Sequence, residues 1–206
     1  MKKQLWIGVF CGVLIIVWVA RYITLNSGHV FSYPENPITY YKLNEEAPYG
    51  QNIPYYGNEA QTLEGYTLRI TGSELVTSAD FSSRYGTFED QMGLINRPYY
   101  LIADAVFANH GTSADGVDLN SLILRGVDWW AYCSYGQTIL VNSATASPDL
   151  YNTGTLKLPT GESMSVKIVF GLETNLLTTN RWQNFTEETI WITQTIFPEE
   201  HRILVQ

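Results

Sequence analysis

Four aromatic residues near the middle of the chain could bind a ligand: Trp129, Trp130, Tyr132 and Tyr135. Flat aromatic rings stack on sugar rings and pack against partner proteins, so a solvent-facing group of them predicts a ligand-binding surface. Side chains alternate along a strand, which places Trp129 with Cys133 on one face and Trp130 with Tyr132 on the other. One tryptophan is therefore expected in the core. For the other, packing beneath a neighbouring segment is the more common fate and ligand binding the alternative.

Three oxygen-bearing side chains in one loop could bind calcium: Asp115, Asp118 and Asn120, grouped around Gly116. Calcium takes carboxylate and amide oxygens from flexible loops. The spacing does not match a complete calcium-binding loop. A plain turn is therefore the favoured interpretation, and a metal site is the alternative.

No group of residues in the sequence indicates catalysis. His29, His110 and His201 are far apart, and no phosphate-binding glycine loop, nucleophile motif or zinc motif is present. Cys133 has no histidine close to it in the sequence and is expected to lie buried in a strand. Because Cys11 lies in the N-terminal apolar run, a disulfide between the two cysteines is not expected. The sequence predicts a non-enzymatic protein without a cofactor.

The N-terminal residues predict a membrane anchor. The run from Leu5 to Ala20 contains no charged residue; two lysines precede it and Arg21 follows it. A spanning helix needs about 20 apolar residues, and an arginine near the helix end can reach the lipid headgroups. We expect residues 1–25 to form one transmembrane helix in the cell membrane, with the rest of the chain outside the cytoplasm. A cleaved signal peptide is the alternative, although a good cleavage site is missing.

The rest of the chain is strongly acidic. The protein has 20 acidic and 12 basic residues, and three of the basic ones flank the apolar run. A net charge of −8 argues against nucleic acid as a partner, because the phosphate backbone binds basic surfaces. The expected partner is instead a protein or another component of the cell envelope.

Two regions follow the anchor. Residues 26–63 are rich in tyrosine and in proline, which interrupts regular structure, so they form either a stalk or a strap along the body. Residues 64–206 contain alternating apolar and polar stretches between glycine-rich turns, which is typical of short strands. The predicted strands are residues 66–71, 99–109, 122–124, 128–134, 155–158, 163–172, 189–197 and, at a sheet edge, 202–206. A turn at Gly136 leads into a further extended segment at 138–142, and a short turn or helical excursion is expected within 85–95.

These strands predict an all-β fold, an antiparallel β-sandwich. The strand ending at Asn109, the segments 122–126 and 158–162, and the strand at 166–170 resemble an uncharacterised group of bacterial extracellular immunoglobulin-like domains. Some of that group are described as telomeric-repeat-factor-like. The resemblance covers residues 64–172 and implies an immunoglobulin-like sandwich tethered to a membrane, with no functional residues to transfer.

The functional hypothesis is an extracytoplasmic interaction domain for an unidentified protein or cell-envelope component. The alternative is a module that binds cell-wall glycans through the aromatic residues between 129 and 135.

Overall fold

The computed structural model describes the chain in segments. They are residues 12, 14–19, 21–22, 36–50, 63–86, 97–113, 115–127, 129–143, 153–173, 188–196 and 198–205. The chain divides into two compact units, residues 1–36 and 37–206.

The described residues of the first unit up to Tyr22 are helical, and Asn36 has no regular secondary structure. Trp18 and Tyr22 stack there, with ring centroids 5.7 Å apart. Within the described residues, no helix has the length and apolar character needed to cross a membrane. Leu5 and Ala20, the ends of the predicted transmembrane helix, lie outside the described residues. The described residues therefore give that helix no support.

The second unit consists mainly of β-strands. Its described strands are β1 Ile38–Tyr41, β2 Ala47–Pro48, β3 Tyr66–Thr77, β4 Tyr99–Asn109, β5 Val117–Asp118, β6 Ile123–Arg125, β7 Trp130–Tyr132, β8 Thr155–Leu156, β9 Ser163–Leu172, β10 Trp191–Thr195 and β11 Glu200–Leu204. Its described helices are α1 Ser78–Tyr85 and α2 Tyr135–Val141, with a 3-10 turn at Leu119–Ser121. In these parts of the chain the strands form sheet A, in the order β1-β11-β10-β6-β7, sheet B, in the order β2-β3-β4-β9, and the separate pair β5-β8.

One hydrophobic core lies between sheets A and B. Leu124 and Ile192 of sheet A belong to the same buried cluster as Leu101, Phe107 and Ile168 of sheet B. Each of these residues alternates with a neighbour that points away from the core, as the two-residue period of the sequence predicts. The fold is therefore a mostly β, sandwich-like arrangement.

Sheet B is built on the long antiparallel strands β3, β4 and β9. The strand predicted to end at residue 71 continues to Thr77, because a bulge between Ile70 and Gly72 inserts an extra residue. The bulge shifts the alternation by one position. Leu68 therefore faces the core before it, and Leu75 packs against the same core after it. The strands β4 and β9 have the predicted bounds.

Helices α1 and α2 pack on sheet B. Phe81 of α1 joins Tyr100, Ile102 and Val169 in a second, smaller apolar cluster. The prediction for residues 138–142 was wrong, because this expected extended segment lies largely in α2. The short turn or helical excursion expected within 85–95 falls almost entirely in residues 87–96, which lie outside the described residues, and α1 ends at Tyr85.

Polar side chains beside and within α2 close the outer edge of β9. Three of them, spaced four residues apart, accept hydrogen bonds from alternate backbone N–H groups of the strand. The bonds run from Gly171 to Ser134 Oγ at 2.9 Å, from Val169 to Thr138 Oγ1 at 3.0 Å and from Lys167 to Asn142 Oδ1 at 3.0 Å. A strand edge whose groups are already paired cannot recruit a further strand there.

The tyrosine- and proline-rich segment contributes one strand to each sheet. Strand β1 pairs in parallel with β11, and β2 pairs antiparallel with β3. The prediction of β11 as an edge strand was wrong, because it lies between β1 and β10. His201 of β11 is buried, and its Nδ1 lies 2.8 Å from the carbonyl oxygen of Pro48 in β2. The second unit thus begins at Pro37, whereas the sequence pattern placed the start of the body at residue 64.

Candidate functional site

Trp129 and Trp130 are neighbours in the chain but lie on opposite faces of sheet A. Trp129 is 5% exposed and belongs to the core. Its Nε1 lies 3.1 Å from each carboxylate oxygen of Glu188, to which it donates. Gly126 makes room for the indole, since a Cβ there would lie 2.1 Å from Trp129 Nε1. Trp129, one of the candidate ligand-binding residues, is therefore part of the hydrophobic core.

Trp130 and Tyr132 lie on the outer face of sheet A. Trp130 is 49% exposed, and Tyr132 is half-buried. Their ring centroids are 4.6 Å apart at an interplanar angle of 69°, an edge-to-face contact. Strand β7 is the last strand of sheet A, so the pair lies at the margin of this face.

Tyr135 is separate from this pair. It begins α2, and its ring lies against Gly154, where a Cβ would approach Tyr135 to 3.0 Å and Asn120 Nδ2 to 2.6 Å. The four aromatic residues proposed from the sequence therefore do not form one patch. Of the four, Trp130 and Tyr132 share a surface, Trp129 is in the core, and Tyr135 packs beside the 3-10 turn.

Strand pairing brings other side chains onto the outer face beside Trp130. Trp191 of β10 is opposite Arg125 of β6, which is opposite Trp130 of β7. Tyr40 of β1 is opposite Arg202 of β11; its ring lies 5.9 Å from the Trp191 ring, and the Arg202 guanidinium carbon lies 5.9 Å from its centroid. We call the following set the aromatic face: Tyr40, Arg125, Trp130, Tyr132, Trp191, Glu200 and Arg202.

A charged group occupies the centre of the aromatic face. Glu200 Oε1 accepts hydrogen bonds from Arg202 Nε at 2.7 Å and from Thr193 Oγ1 at 3.2 Å, and it lies 3.5 Å from Arg125 Nε. The hydrogen bond to Glu200 raises the pKa of Arg202 above its usual value. Arg125 Nε is buried and makes no hydrogen bond in the described structure. Two guanidinium groups thus share one carboxylate between exposed aromatic rings.

Five members of the aromatic face were not predicted from the sequence. Tyr40, Arg125, Trp191, Glu200 and Arg202 come from four strands that are distant in the chain. Alternation in the last two predicted strands marks Trp191 and Arg202 as outward-facing. It does not identify which strands lie side by side. The five residues become neighbours only through the pairing register of the strands, which is seen in the folded sheet.

The three candidate calcium ligands have other roles or positions. Asp118 Oδ1 accepts hydrogen bonds from both the backbone N and Nδ2 of Asn120, at 2.9 Å each, and caps the 3-10 turn. Asp115 is exposed and lies three residues before Asp118, the cap of that turn. Among the described residues, no group of three or more histidine, cysteine, aspartate or glutamate side chains could hold a metal. The plain-turn interpretation accounts for the loop without an ion.

The side chains most able to do covalent or acid–base chemistry are engaged in packing. Cys133 is buried and lies 3.4 Å from Thr138 Oγ1. Burial raises the pKa of its thiol to about 12. His201 is buried against Pro48, and the exposed His110 lies 3.6 Å from Glu46. His29 lies outside the described residues.

A cleft of about 390 Å³ lies on sheet B and is lined by Thr71, Asp104, Asn142, Ser165 and Lys167, among others. Lys167 Nζ lies 2.5 Å from Asp104 Oδ1, and this pairing raises the pKa of the lysine. The two charges in the cleft neutralise each other. By comparison, the aromatic face offers both ring surfaces and the partly exposed guanidinium group of Arg125, whose Nε makes no hydrogen bond in the described structure.

A family model described as a domain of unknown function, DUF5028, matches residues 38–201. No curated protein matches the sequence.

Several solved structures are similar to parts of the chain. The yjhA protein from Bacillus subtilis is 9% identical, with a TM-score of 0.45, over 81% of this chain and 99% of its own. A functionally unknown protein from Listeria monocytogenes is 11% identical, with a TM-score of 0.39, over 64% and 68%. An uncharacterised β-sandwich protein from Clostridium difficile is 8% identical, with a TM-score of 0.37, over 82% and 95%.

Proposed function

The chain belongs to the DUF5028 family of domains of unknown function, and we propose that it is a non-enzymatic binding domain of the bacterial cell envelope. In this proposal the N-terminal apolar run holds an immunoglobulin-like body at the membrane, outside the cytoplasm. The aromatic face of sheet A is the ligand surface, and its ligand is a glycan of the cell wall.

The exposure of Trp130 beside Arg125 is the observation that carries the proposal. Nearly half of a large indole faces solvent, on a face that also holds Tyr40 at 55% exposure. Exposed aromatic rings are enriched where proteins bind ligands and partners, because they bury much area with few rotatable bonds. Arginine and glutamate at the centre can hydrogen-bond the hydroxyl groups of a sugar whose ring stacks on the indole.

Two features favour a binding role over an enzymatic one. The thiol of Cys133 and the imidazole of His201 are buried and held by other groups of the fold. On the aromatic face, the glutamate is already bound by two arginines and a threonine. A carboxylate held in this way is suited to positioning the guanidinium groups rather than to accepting a proton.

A protein partner is the second candidate. Val127, in the turn between β6 and β7, is 79% exposed and adds a second large apolar side chain to the solvent-facing surface of this part of the chain. Against an added strand as the mode of pairing, the outer edge of β9 is closed by Ser134, Thr138 and Asn142.

Sedimentation with insoluble, protein-free bacterial cell wall tests the proposal. The full chain, purified in detergent, is expected to pellet with the wall material. Trp130→Ala should lower the apparent affinity about threefold to tenfold, because a stacked ring contributes roughly 0.5–1.5 kcal/mol. Val127→Ala, which shortens an exposed apolar side chain in the same turn without removing a ring, is the matched control and should bind like wild type. Failure of the wild-type chain to pellet, or equal binding by the Trp130 variant, would contradict glycan binding at this face.

A further inference from the structure

The aromatic face differs in charge from the protein that carries it. The chain has a net charge of −8. The centre of the face, in contrast, holds two cationic groups, Arg125 and Arg202, and one anionic group, Glu200. The nearby carboxylate of Glu188 is turned to the adjacent loop, where it accepts from Trp129 Nε1 and from the backbone N of Val127. A local positive charge on an acidic protein attracts an anionic ligand to this place.

The two arginines are not equally engaged. Arg202 donates to Glu200 at 2.7 Å and packs near the Tyr40 ring. Arg125 has an ion pair with the same carboxylate oxygen at 3.5 Å, its Nε makes no hydrogen bond in the described structure, and its side chain is 31% exposed. A buried guanidinium Nε without a hydrogen bond is costly. The exposed part of the Arg125 side chain leaves the guanidinium group accessible to a second carboxylate, which can bind it through two parallel hydrogen bonds.

The position of Arg125 indicates what carries that carboxylate. In the sheet it lies between Trp130 and Trp191, and neighbouring strands are about 4.8 Å apart. A ring stacked on the exposed face of Trp130 therefore brings its substituents over the guanidinium group. A sugar that bears a carboxylate supplies both parts, the ring and the charge. Polyol phosphates lack the ring, and neutral sugars lack the charge.

We propose that the aromatic face binds an acidic saccharide, whose sugar ring stacks on Trp130 while its carboxylate pairs with Arg125. This inference rests on the proposed function, because it specifies the class of glycan that the same face takes.

Binding of a uronic acid oligosaccharide tests the proposal. The full chain in detergent is titrated calorimetrically with trigalacturonate and with its methyl ester, which has the same rings without the charges. The acid should bind at least about tenfold more tightly, as expected for hydrogen bonds to a charged group. Arg125→Gln should remove this preference. Arg125→Lys, which keeps the charge but loses the planar fork, should retain part of it.

Two controls separate recognition from general effects. Arg84→Gln removes one positive charge from α1, where Arg84 pairs with Glu74, and should leave the preference for the acid unchanged. Trp130→Ala should weaken the acid and the ester by a similar factor. Thermal melts of each variant establish that it is folded before it is titrated.

The outcomes distinguish this inference from the proposed function. Equal affinity for acid and ester would overturn the acidic ligand, and so would a preference that survives in folded Arg125→Gln protein. In both cases the proposed function would stand if the chain still pellets with cell wall. If neither saccharide binds while pelleting persists, the inference is wrong and the proposed function remains. Loss of both binding and pelleting would overturn both.

Discussion

Single side chains determine which of two adjacent tryptophans is buried and which faces solvent. Trp129 reaches the core because Gly126 leaves space for its indole and Glu188 satisfies its N–H group. A buried indole without such an acceptor would pay for an unmade hydrogen bond. Trp130, one residue further on, points out from the same strand and meets solvent. The alternation that separates them was visible in the sequence, while the acceptor Glu188 was not.

Cys133 provides a test at the level of one residue. Because burial raises the pKa of its thiol to about 12, the thiolate fraction at pH 8 is roughly a thousandfold below that of an ordinary cysteine. In a Cys11→Ser chain, where Cys133 is the one thiol left, we expect no reaction with a thiol reagent at pH 8 under native conditions. One equivalent should react in guanidinium chloride. Rapid labelling of the folded protein would contradict the assigned burial.

The charged residues of the aromatic face show where prediction from sequence ended. Arg125 lies in a short strand beside a glycine turn, and nothing nearby in the chain marks it as a ligand contact. Its importance comes from Glu200 and Trp191, which are brought next to it by strand pairing. Aromatic composition can be read locally. The aromatic face is assembled from five strands and depends on their register, which local patterns do not specify.

At the level of elements, α2 is explained by its contacts with β9. The segment Thr138–Val141 contains three β-branched residues, which favour a strand over a helix, and it was therefore predicted to be extended. In the folded protein, Ser134, Thr138 and Asn142 recur every four residues, which is the spacing of one helix face. That face bonds to the backbone of β9. Tertiary hydrogen bonds here outweigh local preference.

Replacing Thr138 with valine tests this account of the edge. Thr138→Val keeps the side-chain volume but leaves the buried N–H of Val169 without its acceptor. The free energy of unfolding should fall by about 1–3 kcal/mol. Urea denaturation followed by fluorescence measures the change. The matched control is Thr112→Val, an exposed position that should change stability by less than about 0.5 kcal/mol. Equal effects of the two substitutions would show that the edge bond is unimportant.

The central strands were predicted well because they are long and regularly patterned. Strands β4 and β9 match their predicted bounds, and both bury apolar residues along most of their length. Strand β3 was predicted too short because the bulge after Ile70 breaks the alternation. Elements of two or three residues, such as β5 and β8, carry too few positions for any period to be recognised.

At the scale of the whole molecule, the proposed tether makes a prediction about location. If the apolar run anchors the chain with its acidic body outside, protease added to intact bacteria whose wall has been removed should digest the body. A cytosolic marker protein should survive the same treatment. Mass spectrometry of the purified protein should find the N-terminal run still attached. A body that stays protected until the cells are lysed, or a mature N-terminus near residue 28, would contradict the tether.

The extent of the body could not be read from composition alone. Tyrosines and prolines between residues 26 and 63 suggested a stalk or strap, and the compact unit instead begins at Pro37. Strands β1 and β2 are too short to show a period. They are identified by their partners β11 and β3, which lie far away in the sequence.

The parallel pairing of β1 with β11 has a mechanical consequence. Because the two strands run in the same direction, the chain enters β1 and leaves β11 at opposite ends of the pair. Tension between these two points pulls the strands past each other along their length. The hydrogen bonds that link Ile38–Tyr41 to β11 then carry the load together instead of opening one after another. A pull applied between the residues before β1 and the residues after β11 therefore meets a seam that resists shear.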